Sequence, residues 1–389
     1  MNLPEVIYNY ILKPPPFEMN NEIMHLAPLQ RGIRMLQEDF ENGARVLATK
    51  AAEALKGVIV DEEKVAQTAE ELWNASRLAG LKLKNARPSM GAAIGSALTQ
   101  ALIAVKEAWE KELGSNWMEV EDAEAVKRMA EIGAKQVQVI ITQRNKSADR
   151  LADAFTAWLR KKSCSLAGSR PIRILTLSYS SSLKACIIKA LTETPELLLD
   201  IRIIESRPRF EGANFGIALC NEFYGERAPN DRLSIQIATD SGVAMLAKSV
   251  DVVLLGADRI SSSGDVSNKM GSLAVTLCAK ALSPAVEVAV VSESDKIATP
   301  GTMDEYAEED NDPHEITDTW DLLGLKRNDE SLKHCTIRNV YFEWVPSKWI
   351  DAYICERGIL TREDVMNISR KTEEMERGVF GSLEASNHK

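Results

Sequence analysis

Four short stretches concentrate side chains able to grip an anion or move a proton. In LLGADRISSSGDVSNKMGS, Asp258 ends an apolar run, and Asn268 and Lys269 follow shortly before a helix. A carboxylate placed there carries protons once burial raises its pKa, and an amide beside an ammonium suits a hydroxyl or a phosphate. In Ser206-Arg207-Pro208-Arg209-Phe210-Glu211-Gly212, two arginines are fixed by a proline, with a glycine that permits close approach. Guanidinium groups are rigid forks for phosphate, although two arginines also serve as ordinary surface ion pairs. Tyr179-Ser180-Ser181-Ser182 precedes a helix, where hydroxyls and backbone N–H groups either cradle a phosphate or simply cap the helix. In Thr239-Asp240-Ser241-Gly242, the aspartate is read as an N-cap.

Other chemistries find little support. The four histidines (His25, His314, His334 and His388) have no metal-ligand spacing, and the six cysteines are scattered without a CxxC pair. No metal or cofactor is therefore expected, and the cysteines read as reduced, mostly buried thiols. With 57 acidic against 47 basic side chains, the net charge of -10 disfavours direct binding to nucleic acid or an anionic membrane. No apolar run reaches the roughly 20 residues of a membrane span. The opening MNLPEVIYNYILKPPPFEMNNE carries acids and prolines where a signal peptide has a basic patch and an apolar core, so a cytoplasmic location is expected.

The elements that must position these loops divide in two. A chain of 389 residues, 45% hydrophobic and 27% charged, has the length of two globular domains. Residues 1–165 predict a helical bundle. Apolar residues recur every three to four positions from Ala27 to Gly57, and further helices are expected at Asp61 to Gly80, Met90 to Leu113 and Glu121 to Lys162. Residues 166–389 predict an α/β domain. RILTLS, LDIRIIES, SIQIATD, DVVLLGAD and EVAVVSES alternate with helical stretches near Ser182 to Thr194, from Gly212, near Gly242 to Lys248, and near Lys269 to Leu282. Strands rich in Val, Ile and Leu without alternation imply a parallel sheet covered on both faces, a doubly wound fold that binds ligands at the carboxyl ends of its strands. An acidic stretch follows (Asp304, Glu305, Glu308, Glu309, Asp310, Asp312, Glu315, Asp318), read as a solvated insertion or a docking loop for a basic partner. VYFEWVPSKWIDAYICERGIL reads as a strand and a helix, with a charged helix from Arg362 to about Gly378.

IESRPRFEGANFGIAL, TDSGVAMLAKSVDVVLLGADRISSSGDVSNKMGSLAVTLCAKA and VVSESDKI resemble the family of the α, β and δ regulatory subunits of initiation factor 2B. That family includes the methylthioribose-1-phosphate and ribose-1,5-bisphosphate isomerases. NARPSMGAAIGSAL is similar to its helical-domain phosphate-binding motif, and WVPSKWIDAYICERGIL to its closing segment. The likeness spans about residues 80 to 365. It implies a helical domain followed by a Rossmann-like domain of the CoA-transferase kind, with self-association through the latter as a homodimer or with related subunits. Asp258 then matches the isomerases' general acid/base, Asn268 and Lys269 match substrate contacts, and Arg87 and Arg207 match phosphate-binding arginines. One departure is sharp. Where the isomerases carry a catalytic cysteine after the first strand, this chain has Ser178, and Cys186 lies two helical turns further on. A serine is a far poorer acid than a thiol. The expectation is a regulatory-subunit-like protein binding a phosphorylated metabolite or nucleotide, with a translation-factor partner; the alternative is a sugar-phosphate isomerase using Asp258.

Overall fold

The computed structural model describes residues 27–39, 42–166, 170–225, 231–301, 310–322 and 334–387. The opening segment and the acids at 304–309 lie outside these residues. The helical part comprises α1 (Pro28–Glu38), α2 (Ala44–Glu62), α3 (Ala69–Lys84), α4 (Gly91–Leu113) and α5 (Ala123–Ser165). The single helix expected from Ala27 to Gly57 is two. The break falls at buried Asp39, whose carboxylate accepts from Asn42 N (3.0 Å) and from Lys50 Nζ (2.6 Å). The helix expected to start at Asp61 begins later: Asp61 lies at the end of α2, and Thr68 with Glu71 forms a reciprocal capping box that opens α3. In the core of this layer, Trp73, Trp109 and Trp117 meet with ring centroids 5.2–5.9 Å apart. The stretch Pro88–Leu113 proves long and apolar enough to cross a membrane, but 67% of its most apolar window is buried among neighbouring helices.

Helix α5 connects the two parts. Its first half (Val126, Met129, Val137, Ile141) packs into the helical core, and its second half (Leu151, Phe155, Trp158, Leu159) packs against the sheet. The α/β part contains β1 (Ile172–Leu177), α6 (Ser181–Glu193), β2 (Leu199–Ile204), α7 (Glu211–Tyr224), β3 (Leu233–Ala238), α8 (Val243–Leu246) and β4 (Val252–Leu255). It continues with β5 (Arg259–Ile260), β6 (Val266–Lys269), α9 (Ser272–Leu282), β7 (Glu287–Val291) and α10 (His314–Leu322). The closing elements are β8 (Phe342–Val345), β9 (Ala352–Cys355), β10 (Gly358–Leu360) and α11 (Arg362–Asn387).

Among the described residues, a seven-stranded sheet runs in the order β10-β9-β7-β4-β1-β2-β3, parallel except for the β10 edge. Strands β4 and β9 are buried at every position, whereas edge strand β3 is largely exposed. The sequence is wound one way from β1 through β2 to β3 and the other way from β4 to β7, so the switch point lies between β1 and β4. A second sheet, β5-β6-β8, is antiparallel. It refines one expectation and corrects another. Asn268 and Lys269 do lie shortly before helix α9, but on strand β6, and the closing segment is β8, β9 and β10 with no α-helix before Arg362. Helix α11 then returns to the helical layer, burying Val379 and Phe380 there.

Candidate functional site at the strand-end switch point

At the switch point the chain leaves its strands through strained turns. Ser178, just after β1, has φ 61°, and Ser206, after β2, has φ 60°; both lie in the left-handed region where a side chain costs roughly 1–2 kcal/mol. The two turns support one another, because Ser178 N donates to Ser206 Oγ at 2.8 Å. Asp240 fixes the second turn by accepting from Ser206 N and Arg207 N, both at 2.8 Å. This corrects its reading as a helix cap: its carboxylate clamps the neighbouring loop instead. Gly212 is required here, since a Cβ on it would sit 1.9 Å from the Ile204 carbonyl oxygen. The serine loop caps α6 through Ser180 Oγ, which accepts from Leu183 N at 3.2 Å. Ser182 Oγ turns away and donates to Glu293 at 2.8 Å.

Asp258 follows β4, its backbone held by N–H donation to Ser267 O at 2.9 Å. Burial pushes its carboxyl above the ordinary value of 3.8; Lys296, Lys269 and Arg87 pull the other way, Glu211 adds to the rise, and the rise wins. Each surrounding cation is anchored. Lys296 Nζ donates to Ala257 O at 2.7 Å. Lys269 Nζ donates to Glu211 Oε1 at 2.8 Å and lies 4.7 Å from the centre of the Tyr341 ring. Arg87, 5% exposed, precedes the turn into α4 and donates to the Asp39 carbonyl. Asn268 Nδ2 donates to Ser272 Oγ at 2.9 Å. A Cβ on Gly256 would lie 3.5 Å from Asn268 Oδ1 and 3.8 Å from Ser180 Oγ, so these three residues share one small space between β4 and α6.

The structure thus gathers Asp258, Lys269 and Arg87 into one electrostatic cluster, with Asn268 on the same strand as Lys269. The Arg207 guanidinium lies elsewhere, donating to Thr319 Oγ1 at 2.8 Å and stacking 5.2 Å from the Phe210 ring. Its neighbour Arg209 faces Tyr341, the ring that also carries Lys269. Glu315, from the acidic stretch, completes that rim by accepting from Tyr341 and pairing with Arg209 at 3.8 Å. Part of the stretch read as a solvated or docking loop is therefore built into the crevice wall. Ser178 is half-buried, and its hydroxyl makes no hydrogen bond to a described residue. Cys186 is sealed inside, 1% exposed, and burial drives its thiol far up.

Sequence reasoning missed Glu211, Lys296 and Tyr341. The first two stood inside the motifs RPRFEG and SESDK, but only the fold shows that their side chains turn toward Asp258. An acid held toward its neutral form beside ammonium and guanidinium groups is equipped to hold an anion and to exchange a proton with it.

The sequence profile of the initiation factor 2 subunit family matches residues 41–362. The ribose 1,5-bisphosphate isomerase of Pyrococcus furiosus is 26% identical over 355 residues, covering 86% of this chain and 92% of that protein. The methylthioribose-1-phosphate isomerase of Magnetococcus marinus is 26% identical over 199 residues, 51% of this chain and 52% of that one. Among solved structures, the translation initiation factor eIF-2B of Pyrococcus horikoshii OT3 superposes with a TM-score of 0.60 at 18% identity, covering 86% of this chain and 98% of its own. The 5-methylthioribose 1-phosphate isomerase of the same organism gives 0.57 at 19% identity, covering 89% and 87%. The tetrameric eIF2B beta2-delta2 complex of C. thermophilum gives 0.62 at 15% identity, covering 88% and 94%. These structural likenesses are likenesses of fold.

Proposed function

The chain belongs to the initiation factor 2 subunit family, and from that premise we propose that its strand-end crevice binds a phosphorylated small molecule, with Asp258 able to carry a proton for aldose–ketose isomerisation. The observation that carries this reading is Asp258 itself, pushed toward neutrality by burial while Lys269, Lys296 and Arg87 surround it. Arg87 and Lys269 supply charge for the phosphate, Asn268 binds a hydroxyl, and Arg207 stands at the rim near α10. As the bond between C1 and the ring oxygen of a sugar 1-phosphate opens, the C2 proton would pass by way of Asp258 to C1 and the C2 hydroxyl proton would end on the freed ring oxygen, leaving a ketone at C2 and the phosphate ester on C1. The relatives named as sugar-phosphate isomerases favour this substrate class.

Ser178 favours a second reading. It stands where the resemblance places a catalytic cysteine, and Cys186 is too buried to replace it. On that reading the crevice senses a phosphorylated metabolite or nucleotide, and the chain works in the cytoplasm as a homodimer or with related translation-factor subunits. The eIF2B beta2-delta2 complex, a tetramer of its own subunits, is in keeping with such assembly.

An NMR assay with methylthioribose 1-phosphate and with ribose 1,5-bisphosphate, run beside Asp258→Asn, separates the two. Turnover that vanishes in Asp258→Asn establishes the isomerase. Saturable shifts without turnover establish the sensor, and the absence of both turnover and shifts refutes the proposal.

A further inference from the structure

A cavity of about 440 Å³ lies beyond the crevice, between α4, α5 and α11 on one side and the ends of β7 and β9 on the other. None of Asp258, Lys269, Asn268, Arg87, Arg207 and Ser178 lines it. Five cationic side chains do (Arg45, Arg144, Arg150, Arg357 and Lys371), against three carboxylates, Glu293, Asp295 and Glu356. In a chain of net charge -10 this local excess of positive charge is unusual.

Each carboxylate has at least one partner within the chain, although Glu293 Oε2 accepts no hydrogen bond from a described residue. Asp295 pairs with Arg144 at 2.5 Å, Glu293 accepts from Ser182 at 2.8 Å, and Glu356 accepts from the Ser294 backbone at 2.9 Å. The cations are less committed. Arg45 makes no ion pair with a described residue, although its charge helps to hold the Glu293 carboxyl down; Lys371 makes none either, Arg150 donates among the described residues to the neutral Ser147 at 2.7 Å, and Arg357 stands 3.6 Å from the already engaged Glu356. Gln100 and Gln143 add neutral donors and acceptors, and Ile140, Ile368 and Met375 add an apolar flank. Cations in excess of carboxylates, amides and an apolar side around one partly open volume are what a small phosphate ester needs.

We propose that this cavity is a second anion site, separate from the crevice, which takes the phosphate of a small phosphate ester on Arg45, Arg357 and Lys371. The two sites are one strand apart: Lys296, which anchors Ala257 beside Asp258, also faces Glu293 on the cavity wall at 3.7 Å.

The test is equilibrium dialysis of the full chain with radiolabelled inorganic phosphate, compared with the double variant Arg357→Ala/Lys371→Ala and with Lys269→Ala. The double variant should lose one bound phosphate per chain, or bind it about tenfold or more weakly, while Lys269→Ala keeps it. Arg357 is 60% exposed and Lys371 lies on the surface, so neither change threatens folding. Restoring charge with Arg357→Lys/Lys371→Arg should restore binding. Unchanged phosphate binding in the double variant overturns the inference, as does a loss that the charge-restoring pair fails to repair. If the crevice reading alone is wrong, the wild type binds a single phosphate that Lys269→Ala leaves untouched.

Discussion

The tryptophan cluster of the helical layer and the crevice at the β1/β4 switch point are built on opposite principles. Trp73, Trp109 and Trp117 sit on relaxed helical and turn backbone, at most 6% exposed, with Trp109 Nε1 donating to Met129 O at 2.7 Å. The three indoles are enclosed there, as a region whose task is stability requires. The crevice holds three non-glycine residues with positive φ (Ser178, Ser206 and Phe210), two facing carboxylates in Asp258 and Glu211, and three buried cations. Such a site is kept in place by the remainder of the molecule, and α5, packed into both cores, carries that support.

If that contrast holds, the largest effect should come from the tryptophans. Trp109→Ala should lower stability by about 3–5 kcal/mol in denaturant unfolding, because it opens a cavity and loses the indole's bond to the Met129 carbonyl. A loss below about 1 kcal/mol would mean that this layer is not the anchor. Next is Asp39→Asn, which removes the partner of Lys50 while leaving the backbone carbonyl that accepts from Arg87. The expected cost is roughly 2–3 kcal/mol at neutral pH. Burial pushes Asp39 up, but hydrogen bonds from Lys50 and Asn42 outweigh it and hold the carboxyl below 3.8. The stabilisation is therefore complete above about pH 4 and fades as pH falls through the lowered folded value, so the variant should match the wild type in strong acid. A cost independent of pH would exclude the ion pair as its source.

In the crevice the sign reverses. Asp258→Asn should raise the melting temperature at neutral pH, by the equivalent of about 1 kcal/mol, because a poorly solvated charge disappears. Its folded pKa lies above the ordinary 3.8, so the gain should be absent below about pH 4 and grow as pH rises through the folded value. Destabilisation at pH 7 would show that the cations, not burial, dominate. The smallest effect is Ser178→Gly, which relieves left-handed backbone at some entropic cost and should stabilise by roughly 0.5 kcal/mol. A loss of stability there would remove the strain from the comparison.

The sequence makes the β/α alternation plain because buried parallel strands leave unbroken runs of Val, Ile and Leu, as in VVLL of β4. Where burial is one-sided or charge is satisfied tertiarily, the signal fails. VSNK of β6 has no strand pattern, since its pairing with β8 comes from a partner more than seventy residues away. Asp240 has the spacing of a cap, but its backbone partners belong to the preceding strand's turn. Arg207 and Arg209 are equivalent as text, and only the placement of Tyr341 and Thr319 sends one toward Lys269's ring and the other toward α10. Asp258 was legible as a strand-end acid, but the company of Glu211 and Lys296 was not, because chain position does not report side-chain direction.

The most direct test of the central claim is a carbon-13 NMR pH titration of the aspartate carboxyls, with Asp258 assigned by its absence from the Asp258→Asn spectrum. The account predicts a midpoint above the ordinary 3.8 that moves when ribose 1,5-bisphosphate is added. A midpoint at or below 3.8, unmoved by the sugar phosphate, would contradict it and leave the crevice without its proton carrier.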